Sequence, residues 1–136
     1  MRIAARRGRL YRRGMIDILR RPLLWRILFW AALLFALVMA LLPSPPHLVL
    51  DDLGDKAEHS LAFAVLAVLG AWGYPRASLF RLGERLSFLG AMIEVLQSIP
   101  ALHRDCDIMD WVTDTVVIVI TVGLIALFRR RSAARG

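Results

Sequence analysis

The sequence predicts an all-α fold, namely a polytopic membrane bundle of four transmembrane helices with both chain ends in the cytoplasm. Of the 136 residues, 58% are hydrophobic, and the mean hydropathy is +0.58. A soluble core of this size cannot hide that much apolar surface from water. The apolar residues form four runs, and arginines flank the whole set. Both features are typical of a chain whose solvent is the lipid bilayer.

The four predicted spans differ in how clearly the sequence marks them. The first ends at Pro43, the second at Gly73, and the fourth at an arginine triplet that begins with Arg129. The third is interrupted by Glu84 and Glu94, so a re-entrant third segment, which leaves three true spans, is the alternative. The predicted spans are residues 25–42, 58–73, 82–99 and 111–128.

The distribution of charge predicts the orientation and argues against a nucleic-acid partner. The formal net charge is +7, but nine arginines precede the uninterrupted apolar run that begins at Ile27, and four follow the last apolar run. Cytoplasmic flanks of membrane proteins have this pattern. With the N-terminus inside, nine of the eleven acidic residues and all three histidines fall on the outer half. We therefore expect a multi-pass protein of the cell inner membrane whose chemistry lies on the outer face.

The chain divides into three predicted segments, which are an arginine-rich cytoplasmic segment at 1–24, the transmembrane domain at 25–128 and a basic cytoplasmic tail at 129–136. The start resembles a signal peptide, but no A-x-A site follows, so we expect an uncleaved first helix. Met1 and Met15 are both candidate starts. Cys106 is the only cysteine, which excludes an internal disulfide and a cysteine-based zinc cage.

Polar residues inside the predicted spans lie near the outer ends of their helices. Ionisable side chains in a bilayer usually face the bundle interior or water. We therefore expect His59, Glu94 and Asp114 to face the interior of the bundle or water. At about 1.5 Å per residue, Glu94 lies roughly 9 Å below Pro100 and Asp114 roughly 5 Å below Trp111. The similar depths predict one shared pocket, with the ligand-binding residues Asp55, Lys56, His59, Glu94, Gln97, Arg104, Asp110 and Asp114.

A purely structural role is the alternative for several of these residues. Asp55 and Glu58 have the spacing of a helix cap and its partner. Glu94 and Gln97 share one helix face and have the spacing of a polar pair that hydrogen-bonds a neighbouring helix. Arg104 is placed to neutralise nearby aspartates. The sequence alone does not choose between anchoring and binding.

The same residues resemble the VanZ-like membrane protein family. The shared pattern is Asp55-Lys56-x-x-His59, then Phe63, Glu94-x-x-Gln97, Pro100, Arg104 and, six residues later, Asp110. The resemblance covers about residues 50–123. The chain departs from the family pattern at Asp114, where asparagine is usual, and at Val117, where glycine is usual. The resemblance implies a membrane location and an outer-face site. It supplies no substrate, although the family is named for a member associated with resistance to the glycopeptide teicoplanin.

Two functions fit this pattern. The first is a non-enzymatic envelope protein whose outer pocket binds a cell-wall or lipid-linked ligand or a partner membrane protein. The second is a membrane-embedded hydrolase or transferase acting on lipid headgroups. In that case either His59 is a general base oriented by Asp55, or His59, Glu94 and Asp110 hold a divalent cation.

No recognised catalytic signature accompanies these residues, so the sequence assigns neither an enzymatic activity nor a metal or other cofactor. A proton path ranks last, because the polar residues do not continue through the inner half of the spans. Besides the lipid bilayer, a homo-oligomer or a larger membrane-protein complex remains compatible with four short helices that bury little surface.

Overall fold

The computed structural model describes residues 22–43, 55–103 and 106–135, and within these ranges the chain is all α, with no strand. Side chains in the second helix are described from Ala57 onward. The all-α prediction is confirmed for the described residues, whereas Met1, Met15 and most of the predicted segment 1–24 lie outside them. The four α-helices are α1 (Pro22–Leu41), α2 (Asp55–Gly73), α3 (Leu79–Gln97) and α4 (Ile108–Ala133), with one turn of 3-10 helix at Pro100–Leu102.

Every helix begins three residues before the start predicted from its apolar run. Pro22 opens α1, where a missing N–H breaks no helical hydrogen bond. Ser78 caps α3 by accepting a hydrogen bond from the Arg81 N–H at 3.5 Å. Asp107 caps α4 by accepting one from the Met109 N–H at 2.9 Å. A cap of this kind stabilises a first turn whose residues lie ahead of the apolar run.

Two of the helices, α1 and α4, are long and apolar enough to cross a membrane. α4 has 26 residues and continues past the predicted end at residue 128. Its last turn contains Arg130 and Arg131, which are good helix formers and interact favourably with the C-terminal end of the helix dipole. The structure therefore confirms helices able to span a membrane for two of the four predicted spans.

The bundle is organised around α2, which packs against α1 and α4, while α3 packs chiefly on α4. Ala67 and Ala71 of α2 are buried, and such small residues let neighbouring helices approach closely. Gly70 marks a close contact with α3, because a Cβ atom there would lie 2.8 Å from Leu82 Cδ1. The large apolar side chains of the core are Phe29, Phe63, Leu66, Leu86, Ile93 and Ile118.

Two arginines close the C-terminal end of α2. Arg26 Nε donates a hydrogen bond to the Gly73 carbonyl at 2.8 Å, and the Arg129 guanidinium donates one to the Ala71 carbonyl. The Arg26 guanidinium also lies 4.8 Å from the centre of the Tyr74 ring. Carbonyls in the last turn of a helix have no donor within that helix. The arginines supply these donors and hold α1 and α4 against the end of α2.

Candidate functional site

Three helices bring His59, Glu94 and Asp110 together at the opposite end of the bundle. His59 lies near the start of α2, Glu94 near the end of α3 and Asp110 in the first turn of α4. Short connections make successive helices antiparallel, so these positions fall at one level. One imidazole nitrogen and one oxygen from each carboxylate all lie within 4.8 Å of one another. We call these three residues the polar cluster.

Glu94 is the buried member of the polar cluster, with 7% of its surface exposed. Its Oε2 atom accepts a hydrogen bond from the backbone N–H of Asp107 at 3.0 Å. The Asp107 side chain in turn caps α4. The connection into α4 is therefore attached to the end of α3 through Glu94, which holds the carboxylate in one position.

Asp114 lies one helical turn below Asp110 and is 3% exposed. Its Oδ1 atom accepts a hydrogen bond from the Ser60 hydroxyl at 3.0 Å. Ser60 directly follows His59, so this bond joins α2 to α4 immediately beside the polar cluster. Asp114 also lies close enough to Asp110 and Glu94 to interact with their charges. It thus contributes both a contact between helices and negative charge to the site.

Gln97 is buried and makes a contact with a different helix. Only 2% of its surface is exposed, and its Nε2 atom donates a hydrogen bond to the Ala40 carbonyl at 2.9 Å. Ala40 lies in the last turn of α1, where carbonyls need an outside donor. The structure therefore gives Gln97 the anchoring contact that the sequence offered as the alternative to ligand binding.

The remaining residues of the predicted pocket are described incompletely or not at all. The side chains of Asp55 and Lys56, and the whole of Arg104, lie outside the described residues. α2 begins at Asp55, so Glu58 lies in its first turn, where a carboxylate interacts favourably with the helix dipole. Ligand binding by all eight predicted residues stays a prediction, and the described part of the site consists of the polar cluster, Asp114 and Gln97.

Cys106 lies at the rim of the site and is exposed. Its thiol hydrogen-bonds the Glu94 carboxylate. Loss of hydration and the negative charges of Glu94, Asp107 and Asp110 raise the pKa of the Cys106 thiol. The rim is therefore a region of negative potential, which disfavours the thiolate.

Two contributors to the site and one polar contact farther along α3 escaped the sequence analysis. The first is Ser60, which the sequence could have indicated because it directly follows His59 and lies at the depth of Asp114. Asp107 is another, and its signal is an acid at a helix start with a second acid three residues later. The third is Ser87 of α3, whose hydroxyl lies 2.8 Å from that of Thr115 on α4. No local pattern distinguishes that serine from a lipid-facing one.

The chain matches no protein-family model, no curated protein and no solved structure. The geometry of the site is therefore the basis for the function considered next.

Proposed function

We propose that this chain is a VanZ-like integral protein of the cell inner membrane whose outer-face polar pocket binds a cell-envelope or lipid-linked ligand. The observation that carries the proposal is the meeting of His59, Glu94 and Asp110, from three helices, at one end of a bundle whose described core is mainly apolar. Ionisable side chains inside a membrane bundle are costly, and they usually mark a functional site.

Four spans are supported by the lengths and surfaces of the helices. α2 and α3 have 19 residues each and are therefore about 28 Å long, close to the hydrocarbon thickness of about 30 Å. Large apolar side chains point outward from all four helices, including Leu34, Val65, Phe88 and Val119. Contiguous apolar surface of this extent is rare on a protein that folds in water. α3 is moreover one continuous helix, which favours a true span over a re-entrant segment.

An orientation with both ends in the cytoplasm is supported by the separation of charge. Several arginines belong to the end of the bundle at which α2 finishes. They are Arg26, Arg76, Arg81 and the arginines after the last apolar run, which begin with Arg129. The carboxylates of the site belong to the opposite end. Because arginine-rich connections stay in the cytoplasm, the polar cluster is assigned to the outer face.

The chemistry of the pocket sets the kind of ligand it binds. His59 and Asp110 are partly exposed, whereas Glu94 is buried and held in place. Carboxylate and imidazole groups accept hydrogen bonds from hydroxyl and ammonium groups, which are common in polar headgroups and cell-wall sugars. A partner membrane protein that presents such groups is the alternative occupant.

One observation favours a second function, hydrolysis or transfer at a lipid headgroup. The His59 imidazole lies beside two carboxylates, and a carboxylate neighbour orients a histidine that acts as a base. Under this alternative, purified protein would act on a lipid phosphate, and His59→Asn would abolish that activity. Absence of activity on a panel of lipid phosphates would exclude the alternative and leave the binding function in place.

The binding function is tested in cells by comparing Glu94→Gln and Asp110→Asn with Glu84→Gln. Glu84 is the matched control because it is an exposed glutamate on the same helix, ten residues before Glu94. We expect the first two variants, at normal protein levels, to change envelope-stress signalling or teicoplanin sensitivity as deletion of the gene does, and the control to behave as wild type. Wild-type behaviour of all three variants would contradict the proposal.

A further inference from the structure

We infer that the polar cluster is a binding site for one divalent transition-metal cation of the Zn²⁺ or Mn²⁺ class, held by His59, Glu94 and Asp110. The inference deepens the proposed function, because it names a resident ion for the same pocket. The metal site itself does not rest on the proposed function. Only the identity of the molecule that completes the coordination of the ion rests on it.

The geometry of the three donors suits a single ion. One ligand atom from each residue lies within 4.8 Å of the other two. Metal–nitrogen and metal–oxygen bonds of about 2.1 Å place neighbouring donors roughly 3.0 to 3.5 Å apart. We expect rotations about the side-chain bonds of His59 and Asp110 to close this difference, since the Glu94 carboxylate is held by the Asp107 N–H. The three side chains also project from helices rather than loops, which is the support that holds ligands in a defined geometry.

The type of donor selects the class of ion. An imidazole nitrogen with two carboxylate oxygens suits Zn²⁺ or Mn²⁺, whereas Mg²⁺ and Ca²⁺ prefer sites built from oxygen alone. Three protein ligands leave at least one coordination position for water or for an oxygen atom of another molecule. Such an open site differs from a closed structural zinc site, in which the protein supplies all four ligands.

The surroundings of the polar cluster have the features of an outer coordination shell. Glu94 accepts a hydrogen bond from the Asp107 N–H, an interaction that fixes a coordinating carboxylate. Asp114, held by Ser60, adds a further buried carboxylate near Glu94 and Asp110. Buried charges in proteins are normally paired or bound to metals.

The inference is tested by measuring metal in protein purified without a polyhistidine tag, stripped with a chelator and then titrated with Zn²⁺ and Mn²⁺. The variants are His59→Asn and Asp110→Asn, with His103→Asn as the histidine control and Glu84→Gln as the carboxylate control outside the polar cluster. We expect one ion per chain in wild type and both controls, and at least a 100-fold loss of affinity in the two cluster variants. Electron paramagnetic resonance of the Mn²⁺-loaded protein should show coupling to one imidazole nitrogen, which His59→Asn removes.

The metal readouts separate this inference from the proposed function. Wild-type protein that binds no stoichiometric Zn²⁺ or Mn²⁺, or cluster variants that bind as wild type does, would overturn the metal site, whether or not an envelope ligand co-purifies. If a cluster variant fails to fold, the imidazole coupling in wild-type protein decides the question, because its absence at full Mn²⁺ loading excludes His59 as a ligand. A bound ion without any envelope ligand would support the metal site and count against the proposed function alone.

Discussion

Ser60 donates a hydrogen bond of 3.0 Å to the buried carboxylate of Asp114 across the contact between α2 and α4. The residue before Ser60 belongs to the polar cluster, and the residue four positions before Asp114 belongs to it as well. The bond therefore sets the spacing of the two helices at the level where they present His59 and Asp110. A change in this pair is expected to alter both the stability of the bundle and the geometry of the site.

Replacing Ser60 with alanine should destabilise the protein by roughly 1–3 kcal/mol, because a buried carboxylate loses the hydroxyl that it accepts from. The measurement is the free energy of unfolding in detergent. Ser98→Ala is the control, since the exposed Ser98 hydroxyl donates to the Val95 carbonyl in the last turn of α3 and does not join two helices through that bond. An equal effect of the two substitutions would show that the Ser60 bond contributes nothing specific.

Asp114→Asn should be tolerated better than Asp114→Ala. The asparagine amide oxygen can still accept the Ser60 hydroxyl, and its neutral side chain costs less to bury than a carboxylate. We expect the asparagine variant to match or exceed the wild-type unfolding temperature, and the alanine variant to fall below it. An asparagine variant as unstable as the alanine variant would mean that the negative charge itself, and not the hydrogen bond, holds the two helices.

Cys106 provides a direct measurement of orientation, because it is the only cysteine and is exposed. In intact cells a membrane-impermeant maleimide should label it, since the proposed orientation places the connection before α4 on the outer face. The control is Ser132→Cys in a Cys106→Ser background, at the opposite end of α4. That site should react only after the membrane is permeabilised. The reverse pattern would refute the orientation.

The alkylation of Cys106 should depend on pH in a way that reveals Glu94. The thiolate is the reactive form, and the pKa of this thiol is raised by loss of hydration and by nearby carboxylates. In protein stripped of metal with a chelator, iodoacetamide should therefore react slowly near neutral pH and accelerate only above the ordinary thiol pKa. Glu94→Gln removes one negative charge, so it should lower the pKa and shift the rate profile to lower pH. An unshifted profile would mean that Glu94 does not act on the rim.

His103 is expected to be a position where glycine stabilises the chain. It ends the 3-10 turn with φ of 48° and ψ of 41°, a left-handed conformation that costs a side-chain-bearing residue about 1 kcal/mol. His103→Gly should gain roughly 0.5 kcal/mol, after allowance for the greater freedom of glycine in the unfolded chain. His103→Ala is the control, because it also loses the ring contact with the Ala101 carbonyl but keeps the strain. A glycine variant no more stable than the alanine variant would contradict this expectation.

The helices and the level of the polar residues were predictable because they follow from local sequence. Apolar runs bounded by proline, glycine and arginine place each helix to within a few residues. Counting residues from the helix ends brings His59, Glu94 and Asp110 to one level. The binding role of these residues remains a prediction, which the experiments on ligand and metal address.

The lateral partners of the polar residues were not predictable in the same way. The rotation of a helix about its axis decides whether Gln97 contacts Ala40 or the pocket, and whether Ser60 contacts Asp114. Helices that are apolar on nearly every face carry little periodic signal for that rotation. The backbone N–H of Asp107, which binds Glu94, has no sequence signature at all, because every residue except proline carries one.

Native mass spectrometry of protein extracted gently from its own membrane tests the central claim most directly, by comparing wild type with Glu94→Gln and Glu84→Gln. The account predicts that wild type and Glu84→Gln each retain a bound lipid-linked molecule or a partner chain, and that Glu94→Gln emerges without it. If all three proteins emerge without such a ligand, or all three carry the same bound species, the polar cluster does not bind an envelope ligand or a partner chain, and the proposed function is contradicted.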